Sequence, residues 1–199
     1  MEKLKVLIVQ NYIFFPTKLH NFLLLGSVTK LKRIRLEHVS IPPFAVTSVK
    51  LEILQKITLY MCNISQVFST STILVSESLP NIMEINIEYS NDLTEFPVEI
   101  CLLTKLKKLS IINCHNLISL PNEIGKLVNL EVLRLVSCIE LLELPNTIGG
   151  LCHLSILDIS ECLEIERLPE RDRRAAESKA APYDGLLKQL CFAIINHEP

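Results

Sequence analysis

One phrase recurs at a fixed interval between Leu79 and Pro169, and no other feature of the chain restricts its fold so tightly. LKKLSIINCHNLISLPNEIGKLVN begins at Leu106, LEVLRLVSCIELLELPNTIGGLCH at Leu130, and LSILDISECLEIERLP at Leu154, where the pattern breaks off. A looser copy opens at Ile82. Pro97, Pro121, Pro145 and Pro169 are each 24 residues apart, as are Cys114, Cys138 and Cys162. A unit this short cannot enclose a core alone. Its apolar side is buried only when about three or more copies stack.

Within the copy at Leu130, the pair Leu133 and Leu135 lies two residues apart, so both point to one face of a short strand. Cys138 offers a small, mildly polar side chain where the chain turns off the strand. Leu141 and Leu144 refill the core on the return path, Pro145 sets φ, and Ile148 and Leu151 close the unit. Gly125 and Gly149 are read as supplying backbone freedom before the next strand. A period of 24 with an L-x-x-L-x-L-x-x-C core is the pattern of leucine-rich repeats. The expected fold is an α/β leucine-rich repeat solenoid: a curved parallel sheet with irregular or short helical return segments, about seven to eight repeats long.

Older, less regular copies precede the block. Leu54, Ile57, Leu59 and Cys62 keep the pattern, as do Leu31, Ile34 and Leu36 with Val39 in the cysteine place. Leu4, Leu7, Val9 and Tyr12 form the first copy. Repeat starts fall at 4, 31, 54, 82, 106, 130 and 154. The extra residues of the irregular copies belong on the return side, and the stretch QVFSTSTILVSES reads as a polar excursion. Pro42 and Pro43 end the second strand region by removing donors. The solenoid is assigned to residues 1–169 and a divergent, charged segment to 170–199. That segment reads as a capping helix from Arg171 to Ala181 or as a solvated linker, followed by a degenerate eighth repeat at Leu187, Leu190 and Phe192. With Leu4 already inside a repeat and no polar cap before it, the chain reads as a piece of something longer or as a truncated gene product.

Hydrophobic residues make up 49% of the chain and charged ones 21%, a composition suited to repeats that share one long core. A net charge of −2 argues against general binding to a phosphate backbone. No run of eighteen uncharged apolar residues is present, so direct membrane insertion is not expected. Seven cysteines without C-x-x-C spacing read as buried free thiols of a reducing compartment, the cytoplasm, and not as a metal site. Phosphate-binding, dinucleotide, zinc-protease and serine-hydrolase motifs are missing, and the five histidines share no spacing. Neither an enzyme nor a cofactor is expected.

Side chains beside the inward pairs project onto the concave face. There the early strands are basic at Arg33, Arg35 and Lys56, with Tyr60 nearby, and an acidic pair follows at Glu84 and Glu88. Ile112, Val132, Val136 and Ile156 then surround Arg134, with Asp158 alongside. Aliphatic residues around an arginine resemble the centre of a protein interface, so these positions form the candidate protein-binding face, with no nucleic acid expected. An ordinary solvated sheet face, with β-branched residues chosen for strand propensity, is the competing reading.

Beyond the generic repeat, FLLLGSVTKLKRIRLEHVSIPPF, LQKITLYMCNISQVF, SLPNIMEINIEYSNDLTEFPVEIC and the L-P-x-x-I-G-x-L closures at Leu120–Leu127 and Leu144–Leu151 resemble the C-terminal repeats of plant intracellular disease-resistance proteins. The irregular first half is closest to the helper class, which carries a powdery-mildew-resistance type of coiled-coil bundle at its amino terminus. The resemblance covers residues 1 to about 170. It implies a non-catalytic interaction module of a defence receptor, whose partner would be the nucleotide-binding domain of a related immune receptor or a defence signalling protein. It also implies a cytoplasmic location, with any plasma-membrane association made through that partner. The bundle and the phosphate-binding loop are not in this sequence, so nucleotide binding and membrane activity do not carry over. The alternative is an intracellular repeat scaffold for signalling proteins outside immunity. Its repeats would be more uniform than the spacings of 27, 23 and 28 at the start of this chain.

Overall fold

The computed structural model describes residues 4–20, 22–43, 49–68, 75–165 and 169. Every repeat start read from the sequence leads, two residues later, into a strand. These are β1 (Val6–Gln10), β3 (Arg33–Glu37), β5 (Lys56–Tyr60), β6 (Glu84–Glu88), β7 (Lys108–Ile112), β8 (Val132–Val136) and β9 (Ile156–Asp158). They pair in parallel, in chain order, as one seven-stranded sheet. The register is strict: Ile85, Leu109, Leu133 and Leu157 are successive partners, and so are Ile87, Ile111 and Leu135. Alternation along each strand sends those residues into one continuous core. The fold is a leucine-rich repeat solenoid.

Between strands the chain returns in short 3₁₀ turns at Val98–Leu102, Asn122–Lys126 and Asn146–Gly150. Each follows a proline held near φ −63°, −72° or −65°, where no N–H is required. Each buries an isoleucine, Ile100, Ile124 or Ile148, whose carbonyl accepts a bond from the leucine that closes the turn. The irregular copies return differently, through a 3₁₀ turn at Phe22–Ser27 and a single α-helical turn, α1 (Val75–Ser78). The described ends of the excursion after Cys62 carry buried apolar residues, Val67, Phe68 and Val75, so those ends pack into the core where the sequence suggested a polar stretch. A second, two-stranded parallel sheet, β2 (Thr17–Lys18) with β4 (Val39–Ser40), lies outside the expected pattern.

The corners of the seven-stranded sheet use two devices, the first after every strand but β1 and the second after β5, β7, β8 and β9. The first is a residue in the left-handed region: His38, Met61, Tyr89, Asn113, Ser137 and Glu161 all have φ between 51° and 60°. Their turn swings the chain off the sheet; the N–H groups from His38 to Asn113 donate to the last residue of the next strand, and that of Ser137 donates to Ser160, just beyond β9. The second is the cysteine. Cys62, Cys114, Cys138 and Cys162 each direct Sγ at the carbonyl of the second inward residue one repeat earlier: Leu36, Ile87, Ile111 and Leu135. A thiol is small enough to enter the stack and still donates weakly.

Three sequence expectations require correction. Tyr12 does not occupy the corner place; it is 87% exposed, and Asn11 instead bonds the carbonyls of Phe15 and His38. A phenol ring is too large for a slot shaped around a thiol. Cys152 is exposed, because it follows the inward Leu151 on the solvent side of the turn. None of the described glycines has positive φ, so Gly125 and Gly149 are not chosen for left-handed backbone. A Cβ on Gly125 would lie 2.5 Å from the Thr147 carbonyl oxygen, whereas one on Gly149 would meet nothing. Gly125 permits close stacking of consecutive turns; Gly149 has no such role. The charged tail, its capping helix and the degenerate eighth repeat lie outside the described residues.

Candidate functional site

The outward face of the sheet is built from three rows, because parallel pairing places equivalent strand positions side by side, about 4.8 Å apart. The first row carries Arg33, Lys56, Glu84, Lys108, Val132 and Ile156, the middle row Arg35, Thr58, Asn86, Ser110, Arg134 and Asp158. Glu37, Tyr60, Glu88, Ile112 and Val136 form the third. The twelve positions singled out from the sequence therefore share one face. They fall into two groups along it.

The first group holds two ion pairs, while among the described residues Arg33 and Glu88 have no opposite charge within 4.0 Å. Lys56 Nζ meets Glu84 Oε1 at 2.7 Å, and the Asn86 amide donates to the same oxygen. Burial alone would raise the Glu84 pKa, but the hydrogen bond and charge of Lys56 prevail and hold it below the ordinary carboxylate value. Arg35 is ion-paired with Glu37, and its guanidinium lies 5.7 Å from the centre of the Tyr60 ring. The Glu37 hydrogen bond is the main influence raising the Arg35 pKa, against the opposing effect of burial. Tyr60 in turn meets Tyr89 edge to face at 5.4 Å. Tyr89 and Met61 are exposed large side chains of this region that the sequence reading passed over. They occupy the left-handed position one residue before the corner residues Cys62 and Ser90, and no shared residue type marks that position in the sequence.

The second group is apolar around one cation. Arg134 lies in register between Ser110 and Asp158, with Nε 4.0 Å from Asp158 Oδ2. Asp158 is more firmly held by Ser160, whose hydroxyl donates at 2.6 Å. The Arg134 side chain thus stays 47% exposed. Ile112 and Val136 are half-buried neighbours in the third row, and Ile156 is 44% exposed. Val132 is different. At 9% exposure, in register between Lys108 and Ile156, it is largely covered and offers little area to a partner.

No arrangement for chemistry emerges among the described residues. No group of three or more His, Cys, Asp or Glu is placed to hold a metal, and no helix is long and apolar enough to cross a membrane. The buried thiols are held protonated: burial pushes Cys114 up to about 11 and Cys101 up to about 12. Hydrogen bonding with Cys162, reinforced by burial, raises Cys138 as well.

The architecture defines a leucine-rich repeat protein, and known structures agree. The leucine-rich repeat domain of the type III effector XopL superposes with a TM-score of 0.57 over 89% of this chain and 66% of that one, at 18% identity. The homologues of the chain are plant disease resistance proteins. Probable disease resistance protein At5g66900 of Arabidopsis thaliana is 47% identical over 110 residues, 55% of this chain and 14% of that protein. At5g66890 is 41% identical over 115 residues, 58% of this chain and 28% of its own length. Disease resistance protein ADR1 is 33% identical over 114 residues, 57% of this chain and 14% of that protein. The chain thus spans between about a seventh and just over a quarter of the relatives it matches. No family model matches it.

Proposed function

We propose that the chain is a non-catalytic protein-interaction module of plant defence, of the kind carried by helper-class resistance proteins. Its outward face around Arg134 contacts the nucleotide-binding domain of a related immune receptor. The supporting observation is the second group: an exposed guanidinium beside Ile112, Val136 and Ile156, on a surface where a solvated sheet would carry polar side chains. Arginine ringed by aliphatic residues is the composition of an interface centre. Repeat solenoids use such extended sheet faces for binding, and the defence setting is supported by relatives that are disease resistance proteins.

Substituting Arg134→Glu tests this reading. Affinity of the 199-residue chain for the nucleotide-binding domain of a homologous receptor should fall by more than about tenfold, roughly 1.4 kcal/mol. The thermal midpoint should stay near its original value, because the guanidinium is half exposed and its carboxylate contact is long. Equal binding by the two forms removes Arg134 from the interface.

A further inference from the structure

A groove of about 510 Å³ runs along the rim where the chain passes into the sheet, on a different flank from Arg134. Its lining includes Lys32, Glu52, Ile53, Met83, Lys105 and Lys107, and it extends from the second repeat to Asn129 before the sixth strand. Four strand spacings of about 4.8 Å make it roughly 19 Å long, the span of about six extended residues.

The main chain of this rim is already committed. Gln55 and Lys56 both donate N–H to the Lys32 carbonyl, Met83 and Glu84 to that of Gln55, and Lys107 and Lys108 to that of Met83. A partner therefore cannot be held by strand addition here. The side-chain amides are committed too: Asn81 donates to the Glu52 carbonyl and Asn129 to that of Thr104. What remains for recognition is the set of ammonium groups. Lys107 is ion-paired with Glu131, and among the described residues Lys105 donates to the Asn81 amide oxygen alone. Among the described residues no carboxylate lies within 4.0 Å of Lys32 or Lys105, nor of Arg33 and Lys108 at the adjoining strand starts. Three lysines against one glutamate line this groove in a chain whose net charge is −2.

We propose that this rim is a second docking surface, which takes an extended acidic segment of a partner protein. Carboxylates of about six residues meet Lys32, Lys105 and Lys107, while one apolar side chain of the segment contacts Ile53 and Met83, the large apolar side chains of the lining. The charge pattern selects the partner and accelerates encounter, so the interaction weakens as salt rises. Nothing in this assignment depends on the Arg134 face.

The test uses the 199-residue chain and a fluorescein-labelled peptide, Glu-Glu-Leu-Glu-Glu-Glu, followed by fluorescence anisotropy at low ionic strength. Lys105→Glu combined with Lys107→Glu should weaken binding at least about tenfold. Lys32→Glu alone, two repeats away, should weaken it in the same direction, and covers the case in which the double variant fails to fold. Arg134→Glu should leave peptide binding unchanged, which separates failure here from failure of the Arg134 interface. Unchanged binding in Lys32→Glu, or equal loss in Arg134→Glu, overturns the proposal. So does a labelled hexathymidylate that binds as tightly as the peptide and is released by the same variants, because the rim would then be a general anion surface.

Discussion

At the scale of single residues, the corner of the repeat is the most informative place. Its cysteine was legible from the 24-residue interval, because only a small side chain fits where identical corners stack. The left-handed residue before it was not legible, since Met61, Tyr89 and Asn113 share no chemistry. They share only a backbone position that the next strand enforces. Ser90 stands in the cysteine place of the fourth repeat, 1% exposed, with a hydroxyl oxygen that finds no hydrogen-bond partner. Ser90→Cys should therefore stabilise the protein by about 1 kcal/mol, read as a higher denaturation midpoint, since a thiol loses less than a hydroxyl when left unsatisfied. A lower midpoint would show that the serine is satisfied in solution.

The thiols also set a pH dependence. Cys114 and Cys101 are raised to about 11 and about 12 by burial, while an unfolded thiol titrates near about 8.5. The unfolded chain thus releases these protons first as the solution becomes alkaline. The stability they contribute is complete below about pH 8.5 and is lost progressively towards pH 11–12. Urea midpoints should fall between about pH 7.5 and about pH 10. Cys114→Ala, weaker at the lower pH, should lose less over the same interval. A wild-type midpoint equal at both values would contradict the buried, protonated state.

At the scale of elements, the seven strands and the proline-led return turns follow directly from Leu, Ile and Pro spacing. The two glycines do not. Their equivalent places in the sequence suggested one shared role, but close approach of Thr147 distinguishes them. Gly125→Ala should cost about 1–3 kcal/mol, as a methyl group is forced against backbone. Gly149→Ala should be neutral or stabilise by about 0.4–1 kcal/mol, through reduced freedom of the unfolded chain. Thermal midpoints of the two variants separate the cases, and equal shifts would refute the asymmetry. The return through Phe68, Val75 and α1 is another element that spacing did not disclose. Its apolar residues carry no repeat period, so only packing shows that they belong to the core.

For the whole molecule, stability is distributed along a line of neighbours, each strand paired with the one before and the one after. Interior strands are enclosed on both sides. In β1 the inward residues Leu7 and Val9 remain half-buried, and Val6 and Ile8 are exposed. Hydrogen exchange should accordingly be slowest in β6, β7 and β8 and faster in β1. Uniform protection along the sheet would imply a single cooperative unit with no weaker end.

Sequence alone determined the fold class, the strand positions and the face on which Arg35, Glu84 and Arg134 lie, because each depends on local period and on the strict alternation of a strand. The three-dimensional arrangement decided what that face is. It joined Lys56 to Glu84 across 28 residues and laid Arg35 over Tyr60. It covered Val132 while leaving Ile156 open, and it gathered Lys32, Lys105 and Lys107 onto one rim. Those properties depend on distances between side chains of different repeats. Such distances exist only once the repeats are stacked.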